Sequence, residues 1–329
     1  MKLVAGYATS ANVSTISAQW RVPVLLSRSK NGEAATWIGA QGSTNPVAFI
    51  QLGTLESRIN GETIEPIESN SAFWSDTHLD YYPVTIPGLV HGGDLIRADM
   101  IATAVGWRLQ IINQTEHWSD SFVTKSASMK GYDRGEWVQE DPEDPVTGAG
   151  TPYPSFTDVA FNEVLVNGHS PHTSLADALW MSENGQVLAP RSLRGDRFSV
   201  ATVRLTHAQA QYMEDARPVD VAAAATVYQL RGRNGSLVSY LEALAQFDSQ
   251  MRYQTWPALA TPEADSLADT DAAYATSLRA LIEAGTSAAK PLISKELRES
   301  EKDLAAAKRL RLSIGLPPAI EVTASEAKS

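Results

Sequence analysis

Between Leu95 and Asn113 the chain alternates: Trp107, Leu109 and Ile111 are apolar, while Arg108 and Gln110 between them are polar. A period of two puts one face of an extended segment in a core and leaves the other wet, so this stretch predicts strand. Similar short runs rich in Val, Ile, Thr and aromatics, broken by Gly, Pro, Asn and Asp, recur up to about residue 206. Asn60-Gly61 and Asn184-Gly185 favour tight hairpin turns, because both central residues must take positive φ. Closely spaced strands without helical pattern between them predict an all-β domain over residues 1–206, a two-sheet antiparallel sandwich of jelly-roll type.

After residue 206 the period changes. Thr206 and Gln209 have the spacing of a capping box, and alanine becomes abundant. Leu237, Leu241, Leu244 and Phe247 keep helical spacing, as do Ile293, Leu297 and Leu304. Thr261-Pro262-Glu263 is a helix start, with proline where its missing N–H costs nothing. Residues 207–329 therefore predict a smaller α-helical region with a polar tail. Its apolar stripes must be covered, by each other, by the β-domain, or by a second copy or partner protein docking through these helices.

Composition narrows the chemistry. The 329 residues carry a formal net charge of −11, which argues against a nucleic-acid partner, since phosphate binding needs clustered Lys and Arg. The chain has no cysteine, so disulfides, thiol catalysis and Cys-type metal centres are excluded. No apolar run is long enough for a membrane span, and Met1-Lys2-Leu3-Val4-Ala5-Gly6 does not open a signal segment. The chain as it stands thus reads as cytoplasmic, or as one from which a targeting segment is missing.

The familiar catalytic motifs are absent: there is no G-x-S-x-G elbow, phosphate loop, G-x-G-x-x-G or H-E-x-x-H. His169 and His172 form an H-x-x-H in a Ser-Pro loop without a carboxylate at ligand spacing, which reads as polar surface rather than a metal site. More informative are polar groups inside strand patterns. Gln51 interrupts the apolar run Phe49-Ile50-Gln51-Leu52-Gly53. In Glu136-Trp137-Val138-Gln139-Glu140-Asp141 the alternation puts Glu136, Val138 and Glu140 on one face and Trp137, Gln139 and Asp141 on the other. A strand face with two carboxylates is either solvated or lines a cleft.

Seven short segments occur in a fixed order: Trp20-Arg21-Val22-Pro23, Trp37-Ile38-Gly39-Ala40-Gln41-Gly42, Phe49-Ile50-Gln51-Leu52-Gly53, Leu79-Asp80-Tyr81-Tyr82-Pro83, Gly93-Asp94-Leu95-Ile96, Asn113-Gln114-Thr115 and Gly135-Glu136-Trp137-Val138-Gln139-Glu140-Asp141. Each alone is weak. Together they resemble the glutamic peptidases, or eqolisins, over residues 10–205, and the helical region has no counterpart there. The resemblance implies a lectin-like jelly roll and an endopeptidase without cofactor or metal. It further implies a polypeptide substrate, an extracellular setting and a preference for acidic pH. Carried over by position, Gln51 and Glu140 form the catalytic pair. Trp37, Asp80 and Tyr82 line the substrate cleft, and Glu136 flanks the site. Gln41 stands where the family often has Asp, and His78 where it often has an aromatic. Asp80 is one methylene shorter than the family's usual Glu. The competing readings are a binding module, with Trp74, Tyr81 and Tyr82 stacking on sugar rings, and an assembly component docked through the helices.

Overall fold

The computed structural model describes residues 3–26, 31–42, 48–59, 67–76, 82–124, 131–142, 153–174, 177–183, 186–230, 237–284, 290–318 and 320–322. The chain divides into two compact units, Lys2–Val203 and Arg204–Ser329.

The first unit is antiparallel β-structure. Its strands are β1 (Leu3–Ser10), β2 (Thr15–Arg21), β3 (Gly32–Gln41), β4 (Phe49–Ile59), β5 (Ile67–Asp76), β6 (Val84–Val90) and β7 (Leu95–Thr103). They are followed by β8 (Gly106–Asn113), β9 (Trp118–Thr124), β10 (Arg134–Asp141), β11 (Val159–Val166), β12 (Ala178–Glu183), β13 (Gln186–Pro190) and β14 (Phe198–Thr202). One layer runs β6-β5-β4-β3-β10-β1-β12 and the other β13-β14-β11-β2-β7-β8-β9. Strand β12 pairs with both β1 and β13, so the layers join along one side into a nearly closed, sandwich-like body. The alternation predicted in β8 is present: Trp107, Leu109 and Ile111 are buried while Arg108 is exposed.

The core between the layers is built on strand parity. Ile16, Ala18 and Trp20 of β2 point inward, as do Ile96, Ala98 and Met100 of β7. From the facing layer, the Trp137 indole donates to the Ser17 carbonyl at 2.9 Å. The Gly93-Asp94 and Asn113-Gln114-Thr115 segments form a clasp between turns. The Asn113 amide donates to the Asp94 carboxylate at 2.8 Å, and the Asn113 oxygen accepts from the Thr115 and Glu116 N–H groups. The Asn60-Gly61 and Asn184-Gly185 turns lie outside the described residues.

The second unit holds α1 (His207–Leu230), α2 (Leu237–Tyr253), α3 (Thr261–Ala284) and α4 (Lys290–Ser313). The capping box forms: Thr206 N donates to Gln209 Oε1 at 2.9 Å, and Gln209 N to Thr206 Oγ1 at 3.3 Å. Leu241, Leu244 and Phe247 of α2 are buried as their spacing predicts, while the side chain of Leu237 lies outside the described set. The seam expected on α4 is not the one observed. Leu297 and Leu304 are 56% and 67% exposed, and the Ile293 side chain lies outside the described set. The inward line instead runs through Glu299, Asp303, Ala306 and Leu310, at helical spacing but with two acids in it. Asp303 meets Asp271 of α3, which burial and the neighbouring Asp303 charge push up to about 9. A carboxyl pair that holds a proton can sit in a seam, and hydrophobic periodicity does not register it.

Candidate active site

Three adjacent strands build the site. Strand β10 pairs with β3, and β3 pairs with β4. Directly paired residues on antiparallel strands put their side chains on the same face, so the register lists what each position can touch. On β10, Gly135, Trp137 and Gln139 turn toward the second layer. Glu136, Val138 and Glu140 therefore turn the other way, sharing a face as the alternation predicts.

On that face Gln51 pairs with Gly39, and Gly39 pairs with Glu136. The glutamine and the glutamate flank a residue with no side chain, about 10 Å apart across two strand spacings. Their own lengths bridge most of that gap, and the Trp37 ring lies against the backbone of Gly39 between them. A side chain there is excluded. A Cβ on Gly39 would come within 2.7 Å of the Trp37 ring and 3.1 Å of the Ile50 carbonyl oxygen. Gln51 and Glu136 are both buried, at 7% and 4% exposure.

Glu140 occupies a different row. It pairs with Ala35, which pairs with Leu55, so it sits four residues along the strand from Glu136, about 13 Å away. There it accepts the Trp37 indole N–H at 2.6 Å, beside the apolar cluster of Val4, Ala35, Trp37, Phe49, Phe73 and Val138. The pairing of Gln51 with Glu140 expected from the motif is thus not the one the register makes, because the partner level with Gln51 is Glu136. Parity alone leaves both glutamates eligible.

The remaining groups fall around the Gln51–Glu136 row. Arg134, next on that face of β10, pairs its guanidinium with Glu136 Oε1 at 2.7 Å. Gln41 pairs with Arg134 across the strands and is half-buried. Ser75 of β5 pairs with Gln51 on its other side, and Gln51 Nε2 donates to Ser75 Oγ at 2.7 Å. Tyr82 is exposed just ahead of β6. His78, Asp80 and Tyr81 lie outside the described residues. Trp74 packs against Phe122 with ring centroids 5.1 Å apart, which occupies the face offered for sugar stacking. Sequence reasoning passed over Gly39, Ser75 and Arg134. Gly39 was within reach as the glycine of the Trp37-Ile38-Gly39 segment, but only the register gives the other two a role.

The opposite face of the same strands carries a second carboxyl–amide set, wholly buried between the layers. Trp20 Nε1 donates to Thr54 Oγ1 at 3.1 Å, and Thr54 Oγ1 to Glu56 Oε1 at 2.6 Å. Thr36 Oγ1 lies 3.3 Å from Glu56 Oε2 and 2.6 Å from Gln139 Oε1. A hydroxyl has one hydrogen to give, so a proton on Glu56 completes the chain, donated to Thr36 while Thr36 donates to Gln139. Burial supplies that proton by pushing Glu56 up to about 8.

As for metals, His91, Asp94 and Glu116 cluster near the β6–β7 and β8–β9 turns. Asp94 Oδ2 already accepts the His91 N–H and the Asn113 amide, both at 2.8 Å, which makes this group part of the clasp. His169 is exposed in a turn, bridged to Val166.

The profile of the peptidase A4 family matches residues 2–203. Among solved structures, scytalido-glutamic peptidase with a transition-state analogue inhibitor is 22% identical, with a TM-score of 0.49 over 61% of this chain and 98% of that one. SCP-B, an eqolisin in complex with the tripeptide Ala-Ile-His, is 22% identical with a TM-score of 0.45 over the same shares. No curated protein sequence matches.

Proposed function

The chain belongs to the peptidase A4 family, the glutamic peptidases, and from that premise we propose that it is an endopeptidase whose working pair is Gln51 and Glu136. The observation that carries this reading is the row Gln51–Gly39–Glu136, in which an amide and a carboxylate flank the one position without a side chain. A water held between the Gln51 amide and the Glu136 carboxylate gives a proton to Glu136 as its oxygen attacks the substrate carbonyl carbon. The carbonyl oxygen takes up negative charge, and the Gln51 amide N–H donates to it, a contact worth about 3–4 kcal/mol in the transition state. Glu136 then passes the proton to the departing amine as the C–N bond breaks. The atoms balance without metal or cofactor, and the substrate is a polypeptide.

The reading includes turnover that rises as the medium turns acid, where a carboxyl can carry the proton that the departing amine must receive. We accordingly propose an extracellular setting for the enzyme, and a lectin-like jelly-roll path for the sandwich. The test is digestion of a denatured protein between about pH 2 and pH 7. Wild type should cleave best below neutrality, and Glu136→Gln and Gln51→Ala should lose about a thousandfold with folding intact. Glu140→Gln should keep most of its turnover. Loss in Glu140→Gln together with an active Glu136→Gln would return the chemistry to Glu140.

A further inference from the structure

A glutamine amide can act as donor or acceptor, and a half-turn about its last torsion exchanges the two. That torsion, between sp³ and sp² carbons, has a broad and roughly twofold profile, so the chain alone does not hold one orientation. The reaction is not indifferent. An oxygen turned toward the developing oxyanion would repel the charge that the N–H is there to stabilise.

Gln51 is anchored on one side only. Ser75 stands directly opposite it on β5, fully buried, and its Oγ accepts Gln51 Nε2–H at 2.7 Å. On the other flank is Gly39, which offers no side chain. Gln51 Oε1 is buried with no hydrogen-bond partner among the described residues. The –NH₂ group has two hydrogens and the oxygen two lone pairs. With one hydrogen fixed on Ser75, the second hydrogen and the carbonyl oxygen remain for the site. The oxygen can accept from the attacking water while the free N–H serves the oxyanion.

We propose that Ser75 is a positioning residue that anchors the Gln51 amide and restrains rotation about its last torsion. This rests on the Gln51–Glu136 reading. Ser75 does not touch substrate. It acts through Gln51, by holding that torsion at the observed value with the amide N–H on Ser75 Oγ, against the rotation of an unanchored amide.

The test is a mutant cycle on the full chain. Ser75→Ala should lower kcat about tenfold with KM within about twofold, the size of one hydrogen bond's worth of orientation. Ser75→Cys keeps the volume but has a weaker acceptor, and should fall between wild type and Ser75→Ala. A peptide with a tetrahedral secondary alcohol in place of the scissile carbonyl should bind more weakly to Ser75→Ala by the same factor as kcat falls, while a plain substrate-like peptide binds equally. In a Gln51→Ala background, Ser75→Ala should change neither residual turnover nor binding of the alcohol peptide. Equal losses in both backgrounds would make Ser75 merely structural and overturn the inference, as would an unchanged kcat in both Ser75 variants. Should Ser75→Ala fail to fold, Ser75→Cys carries the same comparison. A Gln51→Ala enzyme with full activity would instead sink the underlying reading, so the two failures are distinguishable.

Discussion

The two faces of the β4-β3-β10 strands carry nearly the same chemical parts in different surroundings. On the outer face Gln51 of β4 and Glu136 of β10 flank β3. On the inner face the types are exchanged, with Glu56 on β4 and Gln139 on β10. The difference lies in the residue between them. Thr36 fills the inner gap and meets both sides, and burial holds the Glu56 carboxyl toward its protonated form. On the outer face Gly39 has no side chain to bond to either group and the Trp37 ring lies against its backbone, so neither the amide nor the carboxylate is tied to the central residue. A buried carboxyl–amide pair is therefore not by itself a mark of catalysis. In these strands the two sets differ at the central residue.

The most damaging way to test the difference is to crowd the contact between Gly39 and the Trp37 ring. Gly39→Ala adds one carbon at the point where the Trp37 ring would be 2.7 Å away. Either the tryptophan shifts or the strands part, and both move Gln51 relative to Glu136. Displacement of a catalytic group by about 1 Å costs on the order of a hundredfold, so kcat/KM should fall at least that far, with a lowered Tm. A Gly39→Ala enzyme of ordinary activity would show that turnover does not depend on the spacing of Gln51 and Glu136 across this glycine.

How much of this was legible in the sequence depends on which level of structure decides the question. Parity is local, so the division of Glu136, Val138 and Glu140 from Trp137 and Gln139 could be read from the alternation. Capping is local too, and Thr206 with Gln209 formed as the spacing implied. Register is not local. Seeing that Glu136 and not Glu140 stands level with Gln51 requires knowing that Gly39 is opposite both, which depends on where β3 meets two distant segments. Ser75 and Arg134 were invisible for the same reason. In the helical unit, the α4 seam was misplaced because Asp303 in it is polar by type, yet sits beside Asp271 as a buried carboxyl partner.

A smaller effect separates the faces by pH. The Glu56 carboxyl is raised from 4.5 in the unfolded reference to about 8 by burial. Below the lower value both states hold the proton, and the contribution of this group to stability is fully present. Between the two values the unfolded chain releases a proton that the folded chain keeps, so stability falls by about 1.4 kcal/mol per pH unit until the folded group itself ionises. Glu56→Gln keeps the shape and a donor toward Thr36 but cannot ionise. Denaturant unfolding at pH 5, 6, 7 and 8 (on the order of one-unit steps) should show the variant close to wild type at the acid end and increasingly ahead of it at the alkaline end. Parallel pH profiles would mean that Glu56 does not hold its proton in the fold.

The smallest expected change comes from Thr36, the central residue of the inner face. Thr36→Val keeps the branched shape that suits a strand and removes only the hydroxyl. Gln139 Oε1 then loses the 2.6 Å donor and Glu56 Oε2 its 3.3 Å neighbour, in a region with no access to water. Leaving buried polar atoms without their partner costs about 1–3 kcal/mol, which unfolding in denaturant will read. Thr36→Ser retains the hydroxyl and gives up one buried methyl, so its cost should stay near 1 kcal/mol. Turnover is the discriminating readout. Both variants should keep kcat within about twofold of wild type under conditions where they are folded, because Thr36 faces the inner core and Gly39 the site. If Thr36→Val lost turnover in proportion to Gly39→Ala while remaining folded, the two faces would be one coupled network, and Thr36 would have to be counted among the residues that aim Gln51 and Glu136.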